Sequence, residues 1–188
     1  MSTTVIILIV VAVLIVLWLI GAYNSLVRLR NNRENAFANI DVQLKQRFDL
    51  VPQLVSTVKG YAAHESSVLE KITNARAAAV NATSIGDKIA ADQQLSSALA
   101  GLKVSVEAYP ELKANQNFMQ LQTELADLEN KLAAARRFFN SATRELNTSV
   151  QSFPNNILAG MFGFQKEPMY EVQATERVAM EKAPEIKF

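Results

Sequence analysis

The chain has 188 residues, of which 49% are hydrophobic and 20% charged, a balance that excludes a disordered polymer and fits about one domain. It has no Cys and a single His, so disulfides, thiolate nucleophiles, zinc fingers and imidazole-rich metal sites are excluded. Nineteen Lys and Arg against 18 Asp and Glu give a formal net charge of +1, with no global attraction for nucleic acid.

The first element is apolar throughout. Val5–Ile20 is an unbroken hydrophobic run, extended by Gly21 and Ala22 without a charge. As a helix, residues 5–22 span about 27 Å, close to the hydrocarbon thickness of a bilayer. Trp18 and Tyr23 stand near its C-terminal end, where amphipathic rings favour the headgroup region. A cleaved signal peptide is the alternative, but residues 1–4 carry no basic side chain and Leu19 and Ile20 are poor cleavage positions. The run is expected to be a retained transmembrane helix. Arg28, Arg30 and Arg33 follow within about 15 residues, so the positive-inside bias puts residues 1–4 outside and the rest in the cytoplasm.

Beyond Ala22 apolar residues recur at steps of three and four, the period of amphipathic helices. One stripe runs through Phe37, Ile40, Leu44 and Phe48, then Val51, Val55, Val58 and Ala62. A second holds Leu95, Leu99, Leu102 and Val106, and a third runs from Phe118 through Leu132 and Phe139 to Phe153. Asp49 with Pro52 suggests a helix start, so a turn is expected near Phe48, the alternative being one long helix kinked at Pro52. Breaks at residues 81–84, Tyr109-Pro110 and Phe153-Pro154 complete the division. The expected fold is all-α: a transmembrane helix, then an antiparallel up-and-down four-helix bundle with helices near 24–48, 50–80, 85–109 and 116–153. The bundle is assigned to residues 23–164, and 165–188 to a charged, flexible tail whose Ile186 and Phe188 resemble a short docking motif.

In this topology the first and last bundle helices meet below the membrane. Asn24 and Asn31 sit seven residues apart, as do Asn140 and Asn147, within matching N-S-x-x-R-x-x-N phrases. They are expected either to fix helix register through buried amides or to form a polar contact, unless the similarity is chance. Arg28, Arg30, Arg33 and Arg144 form an expected membrane-proximal basic collar, whose simpler role is to set topology. After Pro154, Ile157, Leu158, Met161, Phe162 and Phe164 act either as an apolar wedge in the bilayer interface or as a cap on the bundle core. Asp41 with Lys45 and Asp127 with Lys131 have the spacing of exposed ion pairs.

Catalytic motifs fail. His64-Glu65 opens like a zinc-protease motif but lacks a second His, and the glycines form no phosphate-binding loop. No Glu-x-x-His pair exists for a di-iron bundle. Aromatic residues follow the helical stripes and do not interleave with a basic face, so single-strand nucleic-acid binding has no support.

Several blocks together carry a family resemblance. They are Tyr23-Asn24-Ser25-Leu26-Val27 with Arg30-Asn31, the stretch Ile40–Val55, Val58-Lys59-Gly60-Tyr61-Ala62 with His64-Glu65, and Ala75-Arg76. Arg136-Arg137-Phe138-Phe139-Asn140, Phe153-Pro154 and Gly163-Phe164 follow in order. In these the chain resembles the LemA family of bacterial membrane proteins. Phe139 and Leu146 depart from it, standing where or near where the family often carries tyrosine. The resemblance implies an N-terminal membrane helix, a cytoplasmic helical domain at the inner membrane and no established enzymatic activity, cofactor or catalytic residue. The expected function is a membrane-anchored, self-associating scaffold with a possible further protein partner; the alternative is a lipid- or membrane-shape-binding protein.

Overall fold

The computed structural model describes residues 2–62 and 65–170. Six helices follow in order: α1 (Thr3–Lys59), α2 (Ser66–Asn81), α3 (Ile85–Val106), α4 (Pro110–Lys113), α5 (Gln116–Gln151) and α6 (Asn155–Met161). No strand occurs among the described residues. His64, and the expected docking motif at Ile186 and Phe188, lie outside them.

The expected turn near Phe48 does not form. Helix α1 runs unbroken through Pro52. A proline inside a helix lacks the N–H that would bond the carbonyl four residues earlier, which here belongs to Phe48. That carbonyl instead accepts a hydrogen bond from Arg76 Nε of α2 at 2.9 Å. The orphaned acceptor thus has a partner, and the helix continues to Lys59, whose charge suits the negative end of the helix dipole.

The later ends follow local chemistry. Ser84 Oγ accepts from the Asp87 backbone N–H at 3.0 Å and caps α3. Pro110 opens the single turn α4, and Asn115 Oδ1 accepts from the Phe118 N–H at 3.0 Å to start α5. Past α6, Gly163 takes a left-handed φ of 72°, and the Phe164 N–H bonds the Ala159 carbonyl at 2.9 Å.

The residues expected to make one domain divide between two compact units. The first takes α1 up to Asn39 and Ala135–Met169; the second takes Ile40–Ala134 and Tyr170. In the first unit, Arg33 bonds Thr143 and the Phe37 ring meets Phe139 with centroids 5.6 Å apart. Four residues forward on α1 match four backward on α5, so these segments are antiparallel. Ala22, Leu26, Leu158, Ala159 and Phe164 form an apolar cluster in this unit.

In the second unit, α1 meets α5 through Arg47 and Glu129, and α3 through Arg47 with Asp92 and Asp41 with Lys88. Asp41 therefore pairs across helices, not with Lys45, whereas Lys131 and Asp127 pair at 2.7 Å as their spacing suggested. Core positions here include Ile40, Leu44, Leu54, Leu95, Phe118 and Leu132, all on the expected stripes or at helical spacing from them, and Ile72 on α2, outside those stripes.

Residues 165–170 are the described part of the segment expected to be a flexible tail. They are non-helical yet held: Asn147 clasps the Glu167 backbone from both sides, accepting from its N–H at 2.8 Å and donating to its carbonyl at 2.9 Å.

Candidate functional site

At the N-terminal end, α1 presents Val5–Leu17 with their large apolar side chains exposed all round. A mean hydropathy of 3.4 over the best window makes this the one described helix long and apolar enough to cross a membrane. Water does not tolerate such a surface, so the helix needs an apolar environment.

Helix α6 packs beside the end of that run. Its inner residues, Leu158 and Ala159, are buried with Ala22 and Leu26, and Phe164 closes the same cluster. Its outer residues Ile157 and Met161, with Phe162, remain exposed. Together with Trp18, Leu19, Ile20 and Tyr23 they line an apolar groove of about 510 Å³. The Tyr23 ring lies 4.8 Å from that of Phe162 and 6.2 Å from that of Phe164. The inner face of the segment thus packs into an apolar cluster, and its outer face is exposed.

The arginine collar is incomplete. Arg28, Arg30 and Arg144 are exposed, with the Arg30 guanidinium 4.0 Å above the Phe164 ring. Arg33 turns inward and is only 6% exposed. Its Nε donates to Thr143 Oγ1 at 3.2 Å, and its Nη2 donates to the Pro168 carbonyl and pairs with Glu167 at 3.2 Å. Burial lowers its pKa, while Glu167 and Glu34 act in the opposite sense. Arg33 therefore holds residues 167–168 against the helix pair instead of facing lipid.

The asparagines also separate. Asn24 and Asn31 are exposed, Asn140 is half-buried, and Asn147 is buried on the Glu167 backbone. Of the four, Asn147 is the buried one, and it meets the returning chain.

A second polar cluster was not anticipated. Arg47 and Asp92 are buried, 5% and 1% exposed, with Nη1 and Oδ1 2.8 Å apart. The same nitrogen donates to Ser96 Oγ at 2.9 Å, and Nη2 reaches Glu129 at 3.1 Å. The buried Tyr170 hydroxyl donates to the other Asp92 oxygen. A signal for this existed: Arg47 lies on the stripe of Ile40, Leu44, Val51 and Leu54, and Asp92 precedes Leu95 and Leu99 at helical spacing. Among the described residues no three His, Asp or Glu side chains converge as metal ligands.

These features define an all-helical protein with one membrane-length apolar helix and interior ion pairs. Comparison with known sequences agrees, since residues 36–188 match the family model described as LemA family. The chain belongs to the LemA family. It is 26% identical over 160 residues to Protein LemA of Metamycoplasma hominis, covering 85% of this chain and 73% of that protein. It is 24% identical over 179 residues to Magnetosome protein MamQ 2 of Paramagnetospirillum magneticum, covering 81% of this chain and 66% of that one. Magnetosome protein MamQ of Magnetospirillum gryphiswaldense is likewise 24% identical over 174 residues, with 79% and 64% covered.

Proposed function

We propose that this chain is a non-enzymatic scaffold, anchored in the bacterial inner membrane by residues 5–22 and self-associating there. The observation that carries the reading is α1 itself. One uninterrupted helix joins an apolar stretch of membrane length to a helical body rich in paired polar side chains. Anchoring raises the local concentration of copies, so weak helix-face contacts suffice to assemble them. Val104 and Phe138 are large apolar side chains left exposed on α3 and α5, and they supply such contacts.

The same reading takes the second unit as an up-and-down four-helix arrangement of α1, α2, α3 and α5. Its support is the order of contacts: 41 with 88 and 47 with 92 rise together along α1 and α3. By contrast, 47 with 129 and Tyr61 with Asn115 run oppositely. Light scattering of the full chain in mild detergent tests self-association. A discrete multimer that Phe138→Glu splits is expected; a monomer at every workable concentration removes this function.

The groove at α6 favours a second reading, contact with the bilayer surface through Ile157, Met161 and Phe162. Trp18 is the chain's only tryptophan and lines that groove, so its fluorescence reports the site directly. In vesicles containing brominated lipid, strong quenching is expected. Met161→Glu is expected to reduce it by drawing this end of the segment out of the interface; unchanged quenching counts against the wedge.

A further inference from the structure

The second unit contains a cleft of about 620 Å³ bounded by α1, α3 and α5, within the size range of small-molecule sites. Its lining is mainly apolar, including Leu54, Leu99, Leu102, Phe118 and Leu125. Arg47 is its buried basic group.

The guanidinium is unevenly used. Nη1 is committed to Asp92 and Ser96, and Nη2 meets Glu129, whose side chain is 44% exposed. Nε is buried and has no acceptor among the described residues. Nε and Nη2 form one edge of the guanidinium fork, whose parallel N–H groups match the two oxygens of a carboxylate. Glu129 occupies one donor of that edge and leaves the other empty. An unfilled buried donor beside an apolar cleft is the pattern of a site awaiting an amphiphilic acid.

We propose that this cleft binds a medium-chain monocarboxylate. Its two oxygens take Nε and Nη2, displacing Glu129 from Nη2, and its alkyl chain lies along Leu99, Phe118 and Leu125. A single negative charge suits the site better than two: Arg47 and Lys103 balance Asp92 and Glu129 before the ligand arrives, and a dianion meets more repulsion from those two carboxylates. The ligand is thus a free fatty acid, not a phosphate monoester.

The test uses the full chain in phosphatidylcholine nanodiscs with a diazirine-bearing decanoate, followed by peptide mapping of the crosslinks. Replacing Arg47 breaks a buried network and endangers the fold, so the cleft is filled instead at exposed Ala126 on its rim. Crosslinks are expected on α3 and α5 at residues 99–103 and 118–126. Unlabelled decanoate should compete at least about tenfold better than decanol, which lacks the charge for the fork. Ala126→Trp should cut labelling by about tenfold, and Glu129→Gln should raise it by removing the competing carboxylate. Equal competition by decanol, crosslinks confined to residues 5–22, or labelling unaffected by Ala126→Trp overturns the proposal. None of these outcomes depends on whether the chain self-associates.

Discussion

Asn147 illustrates how a single amide organises a chain reversal. With one donor and one acceptor facing the same residue, it satisfies both backbone groups of Glu167. Arg33 adds a charge from the facing helix and reaches the carbonyl of Pro168. Asn147→Ala leaves those backbone groups without their partner and is expected to destabilise the protein by about 1–3 kcal/mol. Asn31→Ala, at an exposed position of the matching phrase, should stay within about 0.5 kcal/mol. Thermal unfolding of both variants in detergent, followed by circular dichroism, compares them. Equal losses would mean that the two phrases do act as a matched pair. Arg33 carries a related lesson about reading charge from sequence. Its distance from the membrane suggested a collar, but Leu26, Phe37 and Ile40 are at helical spacing from it and all are buried. A charge on an apolar stripe points inward when a partner exists to receive it.

Among the elements, α1 depends on another helix for its continuity. An interior proline costs about 3 kcal/mol relative to alanine through its lost hydrogen bond and its steric clash. Arg76 Nε offsets part of that cost by bonding the Phe48 carbonyl with a charged donor. Arg76→Met is therefore expected to destabilise by about 1.5–3 kcal/mol in the native background. In a Pro52→Ala background it should cost less, since residue 52 then supplies its own N–H to Phe48. A double-mutant cycle should show coupling above about 0.5 kcal/mol; additivity would mean that Arg76 serves α1 in some other way. Helix α6 is an element of another kind, too short to persist alone and stabilised by packing. Its buried pair, Leu158 and Ala159, secures it to Ala22 and Leu26, while Met161 stays exposed.

For the whole molecule, the apolar stretch of α1 sets the terms. Its exposed surface requires a bilayer or other apolar contact, and the orientation expected from the arginines that follow is a proposal still to be tested. The natural absence of cysteine makes this testable with single introduced thiols. Thr4→Cys should react with an impermeant maleimide in spheroplasts, whereas exposed Ser67→Cys should react only after lysis. The reverse pattern would invert the proposed orientation, and labelling of both in intact spheroplasts would argue against a membrane crossing between them.

The sequence by itself determined what depends on neighbours along the chain. Helical periodicity, the apolar run, the breaks at residues 81–84 and Tyr109-Pro110 and the blocks shared with the LemA family are all local patterns. Tertiary structure decided whatever needs a partner distant in sequence. Phe48 and Arg76 are 28 residues apart, Arg47 and Asp92 45, and Arg33 and Thr143 110. No local propensity reports that an orphaned carbonyl will be filled from another helix, or that a charge will find its counter-charge inside the fold. Pro52 reads as the first turn of a new helix until Arg76 arrives, and Arg33 reads as a surface charge until residues 167–168 fold back onto it. Hydrogen bonds and ion pairs are local in space but not in sequence, so the polar interior emerged only when the helices packed.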